Sequence, residues 1–139
     1  MTSSIAEYYL DELYDWKTAI DLYVEEIDDA EEWLKDVLRF NTIPDLASKV
    51  EKHINQLFMS KQNLLYLRTF VQSFEKQLYK KHAPVNNENI TEEQKEKQKQ
   101  LRKDMHNVEK EYLEVKYNCD DFLAYAVAIQ NRNKNSLPV

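Results

Sequence analysis

The sequence predicts an all-α fold, an antiparallel up-down-up bundle of three long helices. Three observations carry this expectation. Apolar residues recur at alternating spacings of three and four through three separate stretches, two short breaks divide those stretches, and the 139-residue chain contains no glycine. A 3,4 alternation places every such side chain on one stripe of an α-helix. Held over many turns, it favours gentle left-handed, coiled-coil-like winding.

The first helix is expected over residues 4–40. Ser3 or Ser4 is available as N-cap, and Glu7 is placed to complete a capping box. Its ladder is Ala6, Tyr9, Leu13, Trp16, Ile20, Tyr23, Ile27, Ala30, Leu34 and Val37. Ile5, Leu10, Ala19, Val24, Trp33, Leu38 and Phe40 widen that stripe, as a helix touching two neighbours requires. The break that follows, Asn41 to Asp45, offers Thr42 as a cap and Pro44 in a first turn, where proline is tolerated. So short a connection folds the second helix back antiparallel.

The second helix is expected over residues 43–81, with Leu46, Val50, His53, Leu57, Ser60, Leu64, Leu67, Val71, Phe74 and Leu78 as its ladder. The second break runs from Ala83 to Asn89, and Thr91 with Gln94 makes the next capping box. The third helix is expected over residues 92–131 on Leu101, Met105, Val108, Tyr112, Val115, Cys119, Phe122, Ala126 and Ile129. Its opening turns, Glu92 to Gln100, hold no apolar residue and are expected to project into solvent. Residues 132–139 are expected to form a disordered tail.

In architecture this looks like a spectrin-type repeat with longer helices. The likeness rests on the three ladders and the two short breaks, and no motif ties particular residues to that family. One domain, residues 1–131, accounts for the chain, and its length suffices for a single core. Antiparallel folding then layers Ala30 with His53 and Phe122, and Ser60 with Tyr23 and Val115. Tyr23 is the expected hydrogen-bond partner of Ser60.

Charge is distributed unevenly. Residues 1–40 hold 12 acids and 3 bases, residues 41–82 hold 3 acids and 7 bases, and residues 91–116 hold 7 of each. The first two helices are therefore complementary, which favours their pairing and disfavours two first helices side by side. The net charge of −6 argues against a nucleic-acid binder. Acids interleave with the lysines of the Gln94–Lys103 run, so its expected role is helical ion pairing on an exposed face. The longest apolar run, Phe122 to Ile129, is far short of the roughly 20 residues that span a bilayer. No signal peptide is visible, and a single cysteine fits a reducing compartment, so a cytoplasmic location is expected.

Catalytic chemistry finds little support, and the chain is expected not to be an enzyme, with no cofactor, metal or small-molecule substrate identified. Without glycine there is no phosphate-cradling loop of the Walker or Rossmann kind. Helical bundles that hold two metal ions use paired Glu-x-x-His motifs, yet none of His53, His82 and His106 follows a Glu by three. The reversed order His106-x-x-Glu109 lies beside the ladder rather than on it. Cys119 sits on the ladder next to Asp120 and Asp121, the wrong charges for an activated thiolate. His53 and Ser60, the polar entries of the second ladder, are expected to be ordinary buried polar groups.

The departure that points to function is on the second helix. Phe58, Met59, Leu65 and Tyr66 lie off the ladder and gather into one patch, with Phe70 on its flank. A helix apolar nearly all round is covered on more than one side. These five residues are the candidate interface of a protein–protein interaction or scaffold module. Their cover is either another protein, a second copy of the chain in a two-fold dimer, or a neighbouring helix that wraps further round. Phe122–Ile129 is a weaker second candidate, and Tyr8, Tyr14 and Leu22 are off-ladder residues of the first helix. Two other functions compete: a small chaperone or inhibitor whose acidic first helix captures a basic partner, and a metal-handling bundle enzyme.

Overall fold

The computed structural model describes residues 4–40 and 44–136. It is an all-α bundle of three helices, α1 (Ile5–Phe40), α2 (Pro44–Gln77) and α3 (Glu92–Ser136). At about 1.5 Å per residue the first two are each roughly 50 Å long. The direction of each helix is legible in its cross-links. Asp21 pairs with Arg68 and Asp28 with Lys61, so numbers fall along α2 as they rise along α1. Glu12 pairs with Arg102 and Glu26 with Lys116, so α1 and α3 run the same way. Up, down and up again is the resulting order.

The core is the three ladders. Every residue in them is buried or half-buried, and Leu13, Ile20, Ile27 and Leu34 of α1 meet Val50, Leu57, Leu64 and Val71 of α2 in one cluster with Leu101, Tyr112 and Cys119 of α3. Periodicity alone selects these side chains, because only the inward stripe of an amphipathic helix can leave water. Leu38 and the aromatic Trp16 and Tyr23 pack on the margin of the cluster as half-buried neighbours.

The starts of α1 and α3 are capped as local chemistry predicts. The Glu7 backbone N–H donates to Ser4 Oγ at 3.0 Å, so Ser4 is the N-cap of α1. Thr91 and Gln94 form a full reciprocal box: Gln94 N–H donates to Thr91 Oγ1, and Thr91 N–H to Gln94 Oε1, each at 3.0 Å. Thr42, the expected cap of α2, lies outside the described residues.

Two boundaries, the packing of one segment and one contact differ from expectation. First, α2 ends at Gln77 rather than 81, and the chain makes a minimal antiparallel ribbon, β1 (Tyr79–Lys80) with β2 (Ala83–Pro84). Lys81 and His82 turn it with φ of 51° and 70°, the left-handed region that a type I′ two-residue turn demands at both positions. Leu78 stays on the ladder although the helix has ended, and its carbonyl accepts the Val85 N–H at 2.9 Å. A short 3-10 turn, Asn87–Asn89, follows and places Asn87 Oδ1 2.8 Å from the Ile5 N–H, so this connection also ties down the start of α1.

Second, the opening turns of α3 do not project into solvent. Gln98 is fully buried against α1. Third, α3 continues past 131 to Ser136, so the first residues of the expected tail are helical, while 137–139 lie outside the described residues. Finally, the Tyr23 hydroxyl donates to Glu109 Oε2 at 2.6 Å rather than to Ser60, because a charged acceptor binds a phenol more strongly than a neutral hydroxyl does.

Candidate functional site

The outward face of α2 is built by the same arithmetic that builds the core. Residues 58, 65 and 66 fall on the side of the helix opposite 57, 60, 64, 67 and 71, so the bundle closes without them. Phe58, Met59, Leu65, Tyr66 and Phe70 each leave between 41% and 68% of their surface in water. Neighbouring helices therefore do not wrap round to cover them, and the extended-core explanation of the patch is removed. Tyr66 and Phe70 meet edge to face with ring centroids 4.8 Å apart, so part of the patch is internally ordered.

The charges around this face are committed elsewhere. Within residues 53–75 the charged side chains are Lys61, Arg68 and Glu75. Lys61 bonds Asp28 at 2.7 Å, Arg68 grips Asp21 at 2.7 and 3.1 Å, and Glu75 bonds Lys17 at 2.7 Å. All three point along the seam with α1. What remains outward is apolar or carries a neutral amide or hydroxyl: Asn55, Gln62, Asn63 and Thr69 surround the five apolar residues. An uncharged strip of this length stands out in a chain with 32% charged residues.

Beside the patch, α2 and α3 diverge enough to leave an open groove. One section of about 480 Å³ has Met59, Ser60 and Val115 with Asn55, Glu111 and Asn118 along it. A second, of about 280 Å³, lies between Tyr66 and Phe70 on one side and Asp104 and Val108 on the other. Asn63 and Glu111 belong to both, so the sections adjoin. Lys97 of α3 holds its ammonium 5.5 Å from the Phe70 ring centre at the groove's end.

The other seam, between α1 and α3, is polar and closed. Tyr23 and Tyr112 stack with ring centroids 4.6 Å apart, and they exchange acids crosswise. Tyr23 of α1 donates to Glu109 of α3, and Tyr112 of α3 donates to Glu26 of α1, which also receives Lys116 at 3.0 Å. The hydroxyl of Tyr112 and the ammonium hold the Glu26 pKa below the usual carboxylate range against a smaller opposing effect of burial. Burial and the Glu109 carboxylate push Tyr23 up to about 12, and burial with Glu26 raises Tyr112 further.

Glu12 repeats the device one end further down. Burial alone would raise its pKa, but hydrogen bonds from Arg102 and Gln98 with the arginine's charge outweigh burial, and the net shift is downward. Gln98 Nε2 also reaches the Tyr9 carbonyl at 3.3 Å, while its Oε1 is buried with no partner among the described residues. The signal that places Gln98 was in the sequence as phase: it precedes Leu101 and Met105 at the ladder's own spacing, and only its polarity hid it.

The residues considered for chemistry sit apart. His53 stacks on Phe122 with ring centroids 4.6 Å apart, and burial, then the Lys52 charge, lowers its pKa. Its Nδ1 is buried and finds no hydrogen-bond partner among the described residues. Cys119 is buried, and burial with Asp120 pushes its thiol up to about 11, so the nucleophilic thiolate is scarce near neutrality. Among the described residues no three of His, Cys, Asp and Glu group to hold a metal ion. A small space of about 40 Å³ beside Ile27, Leu57 and Cys119 has room for a water.

The weaker candidates divide. Phe122, Leu123 and Ala126 are core, whereas Tyr125 and Val127 are exposed. Tyr8, Tyr14 and Leu22 are exposed too, but with Asp11, Asp15, Glu25 and Asp29 along the same helix. No described helix is long and apolar enough to cross a membrane. Comparisons with protein-family models, with curated proteins and with solved structures return no match to this chain.

Proposed function

We propose that this chain is a non-enzymatic interaction or scaffold module, working in the cytoplasm, that docks protein through the outward face of α2. One observation carries the reading: five large apolar side chains, half or more of their surface exposed in several cases, are gathered on one uncharged strip. Isolated surface apolar residues are ordinary, but a clustered patch of this kind marks interaction sites. Two features support it. The bundle is complete without the patch, so these residues are free to serve something else. The adjoining groove also gives a partner shape to fit rather than a smooth helix to slide along.

The acidic first helix is the competing docking surface. It is less well suited, because Glu12, Asp21, Glu26 and Asp28 are engaged within the bundle by Arg102, Arg68, Lys116 and Lys61.

The test is Leu65→Asp against Leu22→Asp, with folding checked by circular dichroism. Association, with itself or with any other protein, is expected to be lost in the α2 variant and kept in the α1 variant. A folded Leu65→Asp protein that keeps every association of the wild type sinks the reading. Stoichiometric iron, manganese or zinc in the purified protein would replace it with a metal-handling enzyme.

A further inference from the structure

The outward face of α2 is close to a palindrome. Counting both ways from Gln62, three residues away lie Met59 and Leu65, and four away lie Phe58 and Tyr66. Seven away are Asn55 and Thr69, both small and polar, and eight away, at the edges of the face, are two apolar residues, Ile54, half-buried against the core, and the more exposed Phe70. Offsets of three, four, seven and eight are those that share one face of a helix. The face therefore reads the same in both directions: apolar, polar, apolar pair, amide, apolar pair, polar, apolar.

We infer that the occupant of this face is a second copy of the chain, its α2 antiparallel to the first about a two-fold axis at Gln62. This rests on the α2 docking reading and names its partner. A two-fold contact is self-complementary, so a residue at one offset must suit the residue at the opposite offset. With the axis at Gln62, Phe58 meets Tyr66 of the second copy and Met59 meets its Leu65. Asn55 meets Thr69, and the two Gln62 side chains face one another, where paired amides satisfy both donor and acceptor. No partner with an unrelated surface would require that symmetry.

Charge and area agree. Because Lys61, Arg68 and Glu75 are turned to α1, pairing two α2 faces brings no like charges into the contact, whereas two acidic α1 faces would repel. An aromatic or large aliphatic side chain has about 200 Å² to bury. At the exposures found, five of them offer about 500 Å² per copy and about 1,000 Å² per dimer, the threshold of a specific interface. Antiparallel α2 helices also set their macrodipoles favourably.

Single-cysteine cross-linking with a mass measurement tests this. Cys119 is buried and its thiol is largely protonated, so an introduced thiol reacts without competition. The wild type is expected at twice the mass of one 16.7 kDa chain. Gln62→Cys is expected to form a covalent dimer under mild oxidation. Asn55→Cys alone is expected not to, yet to link when mixed with Thr69→Cys. Leu65→Asp, and as a second disruptor Gln62→Arg, are expected to weaken association at least tenfold while leaving the helical signal intact.

Efficient self-linking of Asn55→Cys would establish a parallel pair and overturn the antiparallel register. A dimer indifferent to both disruptors would place the contact elsewhere and overturn this inference and the α2 reading together. A wild-type monomer that binds another protein through Leu65 overturns the second copy and leaves the docking module standing. A monomer with no such binding removes both.

Discussion

Leu64 is fully enclosed by the three helices, whereas Leu65, the next residue, leaves 41% of its surface in water. The two have the same chemistry and the same helix, and differ only by the 100° that separates consecutive residues of an α-helix. Around Leu64 lie the other ladder residues; around Leu65 lie Phe58, Gln62, Tyr66 and Thr69. The difference teaches that apolar content and core membership separate cleanly on α2: one stripe makes the bundle, and the opposite one is surplus to it.

Cavity mutants break the comparison most forcefully. Leu64→Ala, like Ile20→Ala on α1, is expected to cost about 2–5 kcal/mol, the range for buried leucine and isoleucine truncations. Leu65→Ala is expected to change stability by less than about 1 kcal/mol, as a substitution away from the core does. Urea midpoints at dilute concentration, where any dimer has dissociated, compare them directly. Equal losses at 64 and 65 would show that both faces are core and would end the argument for a docking surface.

The seams sharpen the same contrast. α1 and α2 meet through aliphatic residues with ion pairs along the margin, whereas α1 and α3 add hydrogen-bonded acids to the apolar core they share. Tyr112→Phe keeps the ring stacked on Tyr23 and removes one donor from Glu26. The expected loss is about 1–3 kcal/mol, as for hydrogen bonds to charged groups. Tyr23→Phe, at a half-buried position, is expected to lose less. Their order in thermal melts checks the assignment.

Acid should weaken the contact of His53 with Phe122 first and the polar seam between α1 and α3 after it. Glu12 and Glu26 have folded pKa values below the 4.5 of an ordinary glutamate, so the unfolded chain binds protons first as pH falls. Their stabilisation is fully present above 4.5 and is lost as pH drops through the lowered values. His53, whose pKa is lowered from 6.5, works in the same direction in a higher window, because the unfolded imidazole is protonated while the folded one is still neutral. Urea midpoints should therefore fall in two steps, from about pH 6.5 for His53 and below about 4.5 for the carboxylates. His53→Phe should abolish the upper step, and Glu12→Gln should shrink the lower one. A flat profile from pH 7 to 3 would mean the seam carries no net stability.

Most of the bundle was legible because periodicity is a property of the backbone and needs no partner to be read. The ladders, the cap at Ser4, the box at Thr91 and Gln94, and the patch on α2 all follow from spacing and local hydrogen-bonding chemistry. What escaped depends on contacts between distant segments. Gln98 is in phase with Leu101 and Met105, but the Glu12 carboxylate and the Tyr9 carbonyl that satisfy its buried amide lie across the seam, where local spacing does not reach. Tyr23 lies near the layer of Ser60, but the acceptor it chooses is on a third helix. The early end of α2 was hidden for a different reason: Lys81 and His82 are not residues that advertise a tight hairpin.

That hairpin supplies the smallest expected effect. A type I′ two-residue turn between right-twisted strands needs positive φ at both positions, which asparagine followed by glycine adopts most readily. Lys81 and His82 hold φ of 51° and 70° with side chains whose Cβ crowds the following carbonyl, at a cost of roughly 1–2 kcal/mol for each residue. The replacement Lys81→Asn with His82→Gly removes most of that strain, though glycine gives part of it back through the greater freedom of the unfolded chain. The net expectation is a gain of about 0.5–1 kcal/mol, read as a rise in melting temperature of a few degrees. Because the turn is exposed and at the end of the bundle, far from Gln62, association through α2 should be unchanged. A stabilised turn that also altered dimerisation would mean the two ends of α2 are not independent, and the separation of its faces would have to be argued afresh.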